Sequence, residues 1–297
     1  MKIKIDKVTS IIVIYKPNKS HFYKCLELQK KNFSKIIIVN NDPVLNLTNL
    51  DSKQIKVLNN KKNLGLATGF NIGIIEAIKN KAEMVALFDQ DSKLSDKYCS
   101  NMVKEINDHA KKFKKTALFS SRYYNEINHS LSNIISLHSL FLRRKNPPQS
   151  NQVFYPDYVI SSGSFIPTKI FEDIGLMDDK LFITFIDIEW CLRAKAKGYE
   201  IALFNNIYFD HRLGHFRSTF FRKFYPTHDK SYMYYFFRNS FYLYFYSKIK
   251  TNWKIIDFLR NILRILFYIF IVKKGFLYIP SIFNGILDGI KNNMNKA

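Results

Sequence analysis

At 297 residues the chain is long enough for one large domain or two modest ones around a sizeable core. Its 46 Lys and Arg against 24 Asp and Glu give a formal charge of +22, which implies an anionic partner: nucleic acid, an anionic membrane or a phosphorylated substrate. Cys25, Cys99 and Cys191 lie far apart with no CxxC pair, which argues against a disulfide framework or a structural zinc site and fits a reducing compartment.

In chain order, a basic start leads into VTSIIVIY (8–15), which no small-residue cleavage site follows, so it reads as a first strand and not a signal peptide. Short β-branched runs at 36–39, 55–58 and 84–88 read as buried strands, and 116–120 as a further one. Helical spacing over 19–33, 67–80 and 95–113 separates them, with Phe70, Ile74, Ile75 and Ile78 forming one apolar stripe. Strands alternating with helices imply an α/β fold built on a parallel sheet, whose ligands bind beyond the carboxyl ends of the strands. That rule sets YKPN (15–18), NNDP (40–43) and DQDS (89–92) on one rim. Residues 122–153, which include RRKNPPQS, read as a surface excursion. Beyond it, 154–160 reads as a strand, SSGS (161–164) as a tight turn, 187–197 as a helix and 199–204 as a strand.

The remainder differs in kind. After His211, 15 Lys and Arg stand against 3 acids, a balance of +12, and residues 220–246 hold 14 Phe and Tyr. In WKIIDFLRNILRILFYIFIV (253–272), Lys254, Asp257, Asn261 and Arg264 share one helical face. A spanning helix needs about 20 mostly apolar residues. This stretch is interrupted too often, so it reads as an amphipathic helix in a membrane interface, or else as a helix packed on the protein's own core. Basic residues interleaved with runs such as ILFYIFIV suit lipid better than a phosphate backbone, so nucleic acid is not expected as a partner.

Several clusters can carry chemistry. Asp89 and Asp91 flank Gln90 directly after a buried strand, and alternate residues of an extended segment share a side. Two carboxylates so placed can hold a hard divalent cation and leave positions open for phosphates, although acidic turns are common. Gly65, Gly69 and Gly73 recur every four residues; they suit close approach to a ligand or tight helix packing, and do not match G-x-G-x-x-G. Asp187 sits at a helix start, where it either caps the helix or serves as a general base. Glu189 and Arg193 have ordinary helix-pair spacing, while His211 and His215 are surface residues or a third metal ligand.

The ordered set NLGLATGFNIG, LFDQDS, SGSFIPTKIFEDIGLMDDKLFITFIDIEWCLRAKAKGY, DHRLG and FFRNSFYLY resembles the inverting nucleotide-sugar glycosyltransferases of family 2. Within that family, FDQDS with IDIEWCLR resembles the bacterial rhamnosyltransferase-like branch. The resemblance implies a GT-A (nucleotide-diphospho-sugar transferase) fold over residues 1–215, with a nucleotide-binding half to about 120 and an acceptor half beyond it, followed by a helical, membrane-associating region at 216–297. It implies Asp187 as catalytic base and Asp89, Asp91 and His211 around Mg²⁺ or Mn²⁺. Tyr15, Asn41, Asp42, Asn63, Gly65, Asp89, Gly163, Ser164, Glu189 and Trp190 would line the nucleotide-sugar site, with Ser162 in the same turn. The donor it implies is dTDP-rhamnose, or alternatively UDP-glucose, UDP-galactose or UDP-galactofuranose. The acceptor is then a lipid-linked glycan or polysaccharide at the cytoplasmic membrane surface. Asn40 and Thr184 depart from the pattern, since the family and the branch carry aspartates there.

Overall fold

The computed structural model describes residues 2–110, 115–127, 129–138, 141–211, 215–219, 223–272 and 274–294; the side chains of 138, 215–219 and 223–227, hence the candidate His215, lie outside the description. The first half runs β1 (Val8–Ile14), α1 (Lys19–Asn32), β2 (Lys35–Asn40), β3 (Ile55–Asn59), α2 (Leu66–Lys79), β4 (Met84–Asp89), α3 (Tyr98–Ala110) and β5 (Thr116–Asn125). Short strands β6 (Ser130–Leu131), β7 (Ile134–His138), β8 (Phe141–Lys145) and β9 (Val153–Phe154) follow. Then come β10 (Ser164–Pro167), α4 (Ile170–Ile174), α5 (Ile186–Ala196) and β11 (Glu200–His211). The chain continues through β12 (His215–Thr219), β13 (Lys223–Thr227), α6 (Lys230–Tyr246), α7 (Thr251–Phe270) and α8 (Ile279–Ile290).

One sheet has the order β3-β2-β1-β4-β10-β5-β11-β9. Strands β3, β2, β1 and β4 are parallel, as are β5 and β11, while β10 runs antiparallel between β4 and β5. Alternation along the buried strands separates two apolar layers. Ile11, Val13, Val85 and Leu87 pack beneath α2 and α5, while Ile12, Ile14, Ala86 and Phe88 face Phe22, Leu26, Met102 and Ile106 of α1 and α3. The α/β architecture with a mostly parallel sheet is therefore as expected.

Two expectations change. Of 154–160 only Phe154 is in a strand, at the end of β9; the next strand lies at Ser164–Pro167, after the turn closed by the Ser164 N–H to Ser161 carbonyl bond. Pro156 has no N–H to give to a ladder, whereas Phe165 and Ile166 are fully buried between β4 and β5. The excursion at 122–153 is anchored in the core: Arg122, with no exposed surface, donates to the Ser132 and Pro147 carbonyls and to Asn205.

The glycine row is divided between two jobs. A Cβ on Gly73 would lie 2.4 Å from Ile11 Cγ2, and one on Gly69 2.6 Å from Val13 Cγ1, so both let α2 sit close on β1. Gly73→Ala is expected to destabilise the fold by about 1–3 kcal/mol through overpacking, read as a lower urea midpoint at unchanged slope. An unchanged midpoint would mean that α2 has room to move off the sheet.

At the other end, α8 lies close on α6, where Cβ atoms on Gly285 and Gly289 would fall 2.4 Å and 2.3 Å from the Tyr234 and Arg238 carbonyl oxygens. Helix α7 is turned with its polar face inward. Tyr244 donates to Asp257 (2.7 Å), Asn261 donates to the Tyr244 oxygen (2.8 Å), and Lys254 reaches the Tyr244 and Ser247 carbonyls. Trp253 is buried in the main core. Outward face Phe258, Leu259, Ile262, Leu263 and Phe270, the last two 66% and 78% exposed. No helix among the described residues is long and apolar enough to cross a membrane.

Candidate active site

The parallel register aligns the carboxyl ends of β1, β2 and β4: Val13 pairs with Asp89, and Ile14 with Asn40. Beyond Asp89 the chain turns and Lys93 exchanges two backbone hydrogen bonds of 3.0 Å with Asp210. That bridge brings the end of β11 against the acidic loop. His211 Nε2 lies 3.5 Å from Asp89 Oδ2, and its Nδ1 lies 3.5 Å from Asp91 Oδ1. The Ser162 hydroxyl contacts Ser92 Oγ at 2.6 Å and accepts from the Asp89 N–H at 3.3 Å, holding the loop from behind. Gln90 turns away and accepts from the Tyr15 N–H, so it ties the loop to the end of β1.

Ligand atoms of Asp89, Asp91 and His211 all fall within 4.8 Å of one another, a spacing that could hold a metal ion. The donor set fits such a group: His211 is buried, and its Nδ1 has no hydrogen-bond partner. Burial and the Asp91 charge push the Asp89 carboxyl above its ordinary range, while His211 pulls it down. Two carboxylates and an imidazole with room on one side suit a divalent cation that completes its shell from a substrate.

This cluster forms one wall of a cavity of about 350 Å³ that Tyr15, Asn41, Asn63 and Gly65 also line. Through Tyr15, Asn63, Phe182 and Ile183 it adjoins a larger cavity of about 960 Å³ against α6 and α8. Gly65 adopts φ +86°, and Phe182 leaves no room for a Cβ there. Asn41 holds the opposite wall, donating to the Gly65 carbonyl and accepting from Asn60.

Other sequence candidates lie elsewhere. Asp42 accepts from the Val44 N–H within its own turn. Asn40 donates to the Leu45 carbonyl and to Asn59 and accepts from the Asp42 N–H. An aspartate there could not donate, which accounts for the amide. Gly163, at φ +81°, abuts Phe209 and Tyr98, and Ser164 donates to the Ile160 carbonyl behind the cavity wall. Glu189 is held in a bidentate pair with Arg193, and Trp190 donates to the Gly175 carbonyl inside the core. Those groups are committed to packing α5.

Asp187 opens α5 and accepts from the Ile188 N–H at 2.9 Å. Burial pushes its carboxyl up to about 6, and the nearby Asp89 charge adds to the rise. It lines a small cavity of about 110 Å³ with Tyr123 and Tyr158. The Tyr123 ring, which shares that cavity, also stands edge-on to His211 with centroids 5.8 Å apart.

Sequence reasoning missed the loop that leads into α5. Phe182, Thr184 and Phe185 all have positive φ, 55°, 64° and 62°, a costly run for residues other than glycine. Asn239, fully buried, holds it by donating to the Leu181 and Ile183 carbonyls at 2.7 Å and 2.6 Å and to Thr184 Oγ1 at 3.2 Å. The Phe182 carbonyl accepts from the Leu66 N–H, and its ring stacks on Tyr235 at 4.9 Å. The loop thus connects the cavity floor, the start of α5 and α6. Nothing in FITF signals it, because aromatic and β-branched residues argue against left-handed backbone.

A parallel α/β sheet carrying a paired-acid loop at its rim is the arrangement of a glycosyltransferase with the GT-A fold. The profile of the family described as Glycosyl transferase family 2 matches residues 10–173, more than half of the chain, and the chain belongs to that family. It is 24% identical over 292 residues to the dTDP-rhamnosyl transferase RfbF of Shigella flexneri, covering 96% of each chain. Among solved structures, S. aureus TarS 1-349 in complex with UDP-GlcNAc matches 97% of this chain and 82% of its own, with a TM-score of 0.58 at 14% identity. GalNAc-T7 with UDP, GalNAc and Mn²⁺ matches 69% of this chain with a TM-score of 0.55 at 14% identity, and this chain spans only 44% of it.

Proposed function

We propose that this protein transfers L-rhamnose from dTDP-rhamnose, with inversion, to a hydroxyl of a growing lipid-linked cell-surface glycan. The observation that carries the reading is the Asp89–Asp91–His211 cluster at a cavity wall, with Asp187 half-buried on α5. Tyr15, Asn63 and Gly65 would receive the nucleotide, and Asp89, Asp91 and His211 would hold Mg²⁺ or Mn²⁺ beside its diphosphate. When bound, the cation supplies positive charge to the departing diphosphate. Asp187 takes the proton of the acceptor hydroxyl as that oxygen attacks the anomeric carbon from the face opposite the leaving group. A carboxyl raised to about 6 is well matched to that task near neutral pH.

The rhamnosyl donor is supported by the DQD and IDIEW motifs and by the relative named as a dTDP-rhamnosyl transferase. A UDP-hexose donor is the second reading, favoured by the UDP-GlcNAc complex of TarS. Titration of the full chain with dTDP and UDP, with Mn²⁺ present, separates them. We expect dTDP to bind at least about tenfold tighter; a preference for UDP would give the donor assignment to the second reading.

Residues 1–215 form the catalytic part of this proposal, and 216–297 hold it at the inner face of the cell membrane. The outward Leu and Phe face of α7, flanked by basic residues, supports it: apolar side chains enter the interface while Lys and Arg meet anionic headgroups. Removing the region would strip Trp253 from the core, so point changes are the better test. Leu259→Ser with Leu263→Ser is expected to cut sedimentation with anionic vesicles by about tenfold at unchanged melting temperature. Equal sedimentation of both forms would remove α7 from the membrane contact.

A further inference from the structure

Three arginines gather where α7 leaves the catalytic half. Arg144 and Arg260 line one cavity of about 450 Å³ with Leu259 and Leu263. Arg260 and Arg264 line another of about 460 Å³ with Tyr232, Leu263 and Phe267. Arg264 is braced by Asn261 and lies 4.1 Å over the Phe236 ring. Among the described residues none of the three forms an ion pair with a carboxylate. The nearest acid on α7, Asp257, is buried and already takes hydrogen bonds from Tyr244 and Asn261. Burial holds the Arg264 guanidinium below its ordinary range; the Asp257 charge offsets part of this and the Arg260 charge adds to it, so a bound anion would favour the charged form.

Two tyrosines link these arginines to Asp187. Tyr158 shares the small cavity of Asp187 and feels the charges of Arg260 and Arg144. Tyr232, in the wall of the Arg264 cavity, feels both Arg264 and Asp187. Each phenol ring therefore lies near both the carboxylate and at least one guanidinium group. On the far side, the exposed Leu259, Leu263 and Leu266 continue the apolar surface outward.

Resting on the transferase reading above, we propose that Arg144, Arg260 and Arg264 form the subsite for the diphosphate of a lipid-linked acceptor. Its sugar lies against Tyr158 and Tyr232 beside Asp187, and its hydrocarbon chain lies along the outward face of α7. A diphosphate diester carries two charges, which a cluster of guanidinium groups can meet in bidentate fashion, and an uncharged glycan would leave those groups unmatched.

The test uses the full-length protein in chelator, so that the donor's metal cluster takes no part. Binding is measured to neutral phosphatidylcholine vesicles containing either a polyprenyl diphosphate or phosphatidylglycerol at matched surface charge. Polyprenyl diphosphate vesicles are expected to bind at least about tenfold tighter, and millimolar inorganic diphosphate to compete. Arg144→Gln with Arg260→Gln removes that preference, and the paired lysine substitutions retain part of it. Equal binding of the two vesicle types by the unaltered protein, a general anionic surface, overturns the subsite whatever the variants do. So does an undiminished preference in the glutamine variant. Calorimetry of dTDP and of UDP with Mg²⁺, on protein freed of chelator, keeps the two ideas apart. Binding of neither nucleotide overturns the transferase reading, whereas intact binding of either one without diphosphate preference overturns the subsite alone.

Discussion

Asp187→Asn is expected to lower the rate of sugar transfer by about 10³-fold while leaving nucleotide affinity within about twofold. The amide keeps the shape of the carboxylate, and its oxygen can still accept from the Ile188 N–H, so α5 retains its first turn. What it loses is the ability to take a proton. Burial raises the carboxyl to about 6, so the pH dependence has a definite sign. The base works only when ionised, and transfer by the unaltered protein falls as pH drops through that value. Stability runs the other way. A carboxyl whose folded pKa lies above its unfolded value of about 3.9 costs stability once pH exceeds the unfolded value, up to about 3 kcal/mol above the folded one. The asparagine variant is therefore expected to melt higher than the unaltered protein at pH 7.5 and equally at pH 4. A variant that is equally active, or whose melting gain is independent of pH, would remove Asp187 from the role of base.

Asp91→Asn is expected to cost about 10²-fold in transfer, as is treatment of the unaltered protein with excess chelator. Asp89 and Asp91 both approach His211 at 3.5 Å, so an amide at 91 keeps the contact and removes one of the charges that a cation requires. Thermal melting gives an independent readout, because a ligand that binds only the folded state raises the melting temperature with its concentration. Added Mn²⁺ is expected to stabilise the unaltered protein and to leave the Asp91 variant where it was. Full activity in chelator would remove the cation from the reaction.

The buried strands were legible because β1 and β4 carry near-continuous apolar runs, as a parallel sheet covered on both faces requires. The acidic loop was legible for the same reason, since its place after β4 follows from the strand. Strand β10 was not: four residues carry no period, and an antiparallel strand inserted between β4 and β5 is set by tertiary pairing alone. Asp89, Asp91, Asn63 and Gly65, singled out in the sequence, line one cavity, whereas Glu189 and Trp190 are turned into the packing of α5. Their partners, Arg193 and the Gly175 carbonyl, are fixed only by how α4 and α5 meet. Gln90 is a similar case, since its partner, the Tyr15 N–H, lies 75 positions earlier. The periodicity of α7 announced two faces but not which one turns inward. Tyr244 decides that, because its hydroxyl needs a buried partner and Asp257 supplies it.

The central claim is that the Asp89–Asp91–His211 cluster holds a divalent cation against a nucleotide diphosphate. The most direct measurement is anomalous diffraction at the manganese edge from crystals grown with Mn²⁺ and dTDP. One strong peak is expected among these three side chains, with the diphosphate on its open side and the nucleoside between Tyr15 and Asn63. Nucleotide density in that cavity with no anomalous peak at the cluster would contradict it.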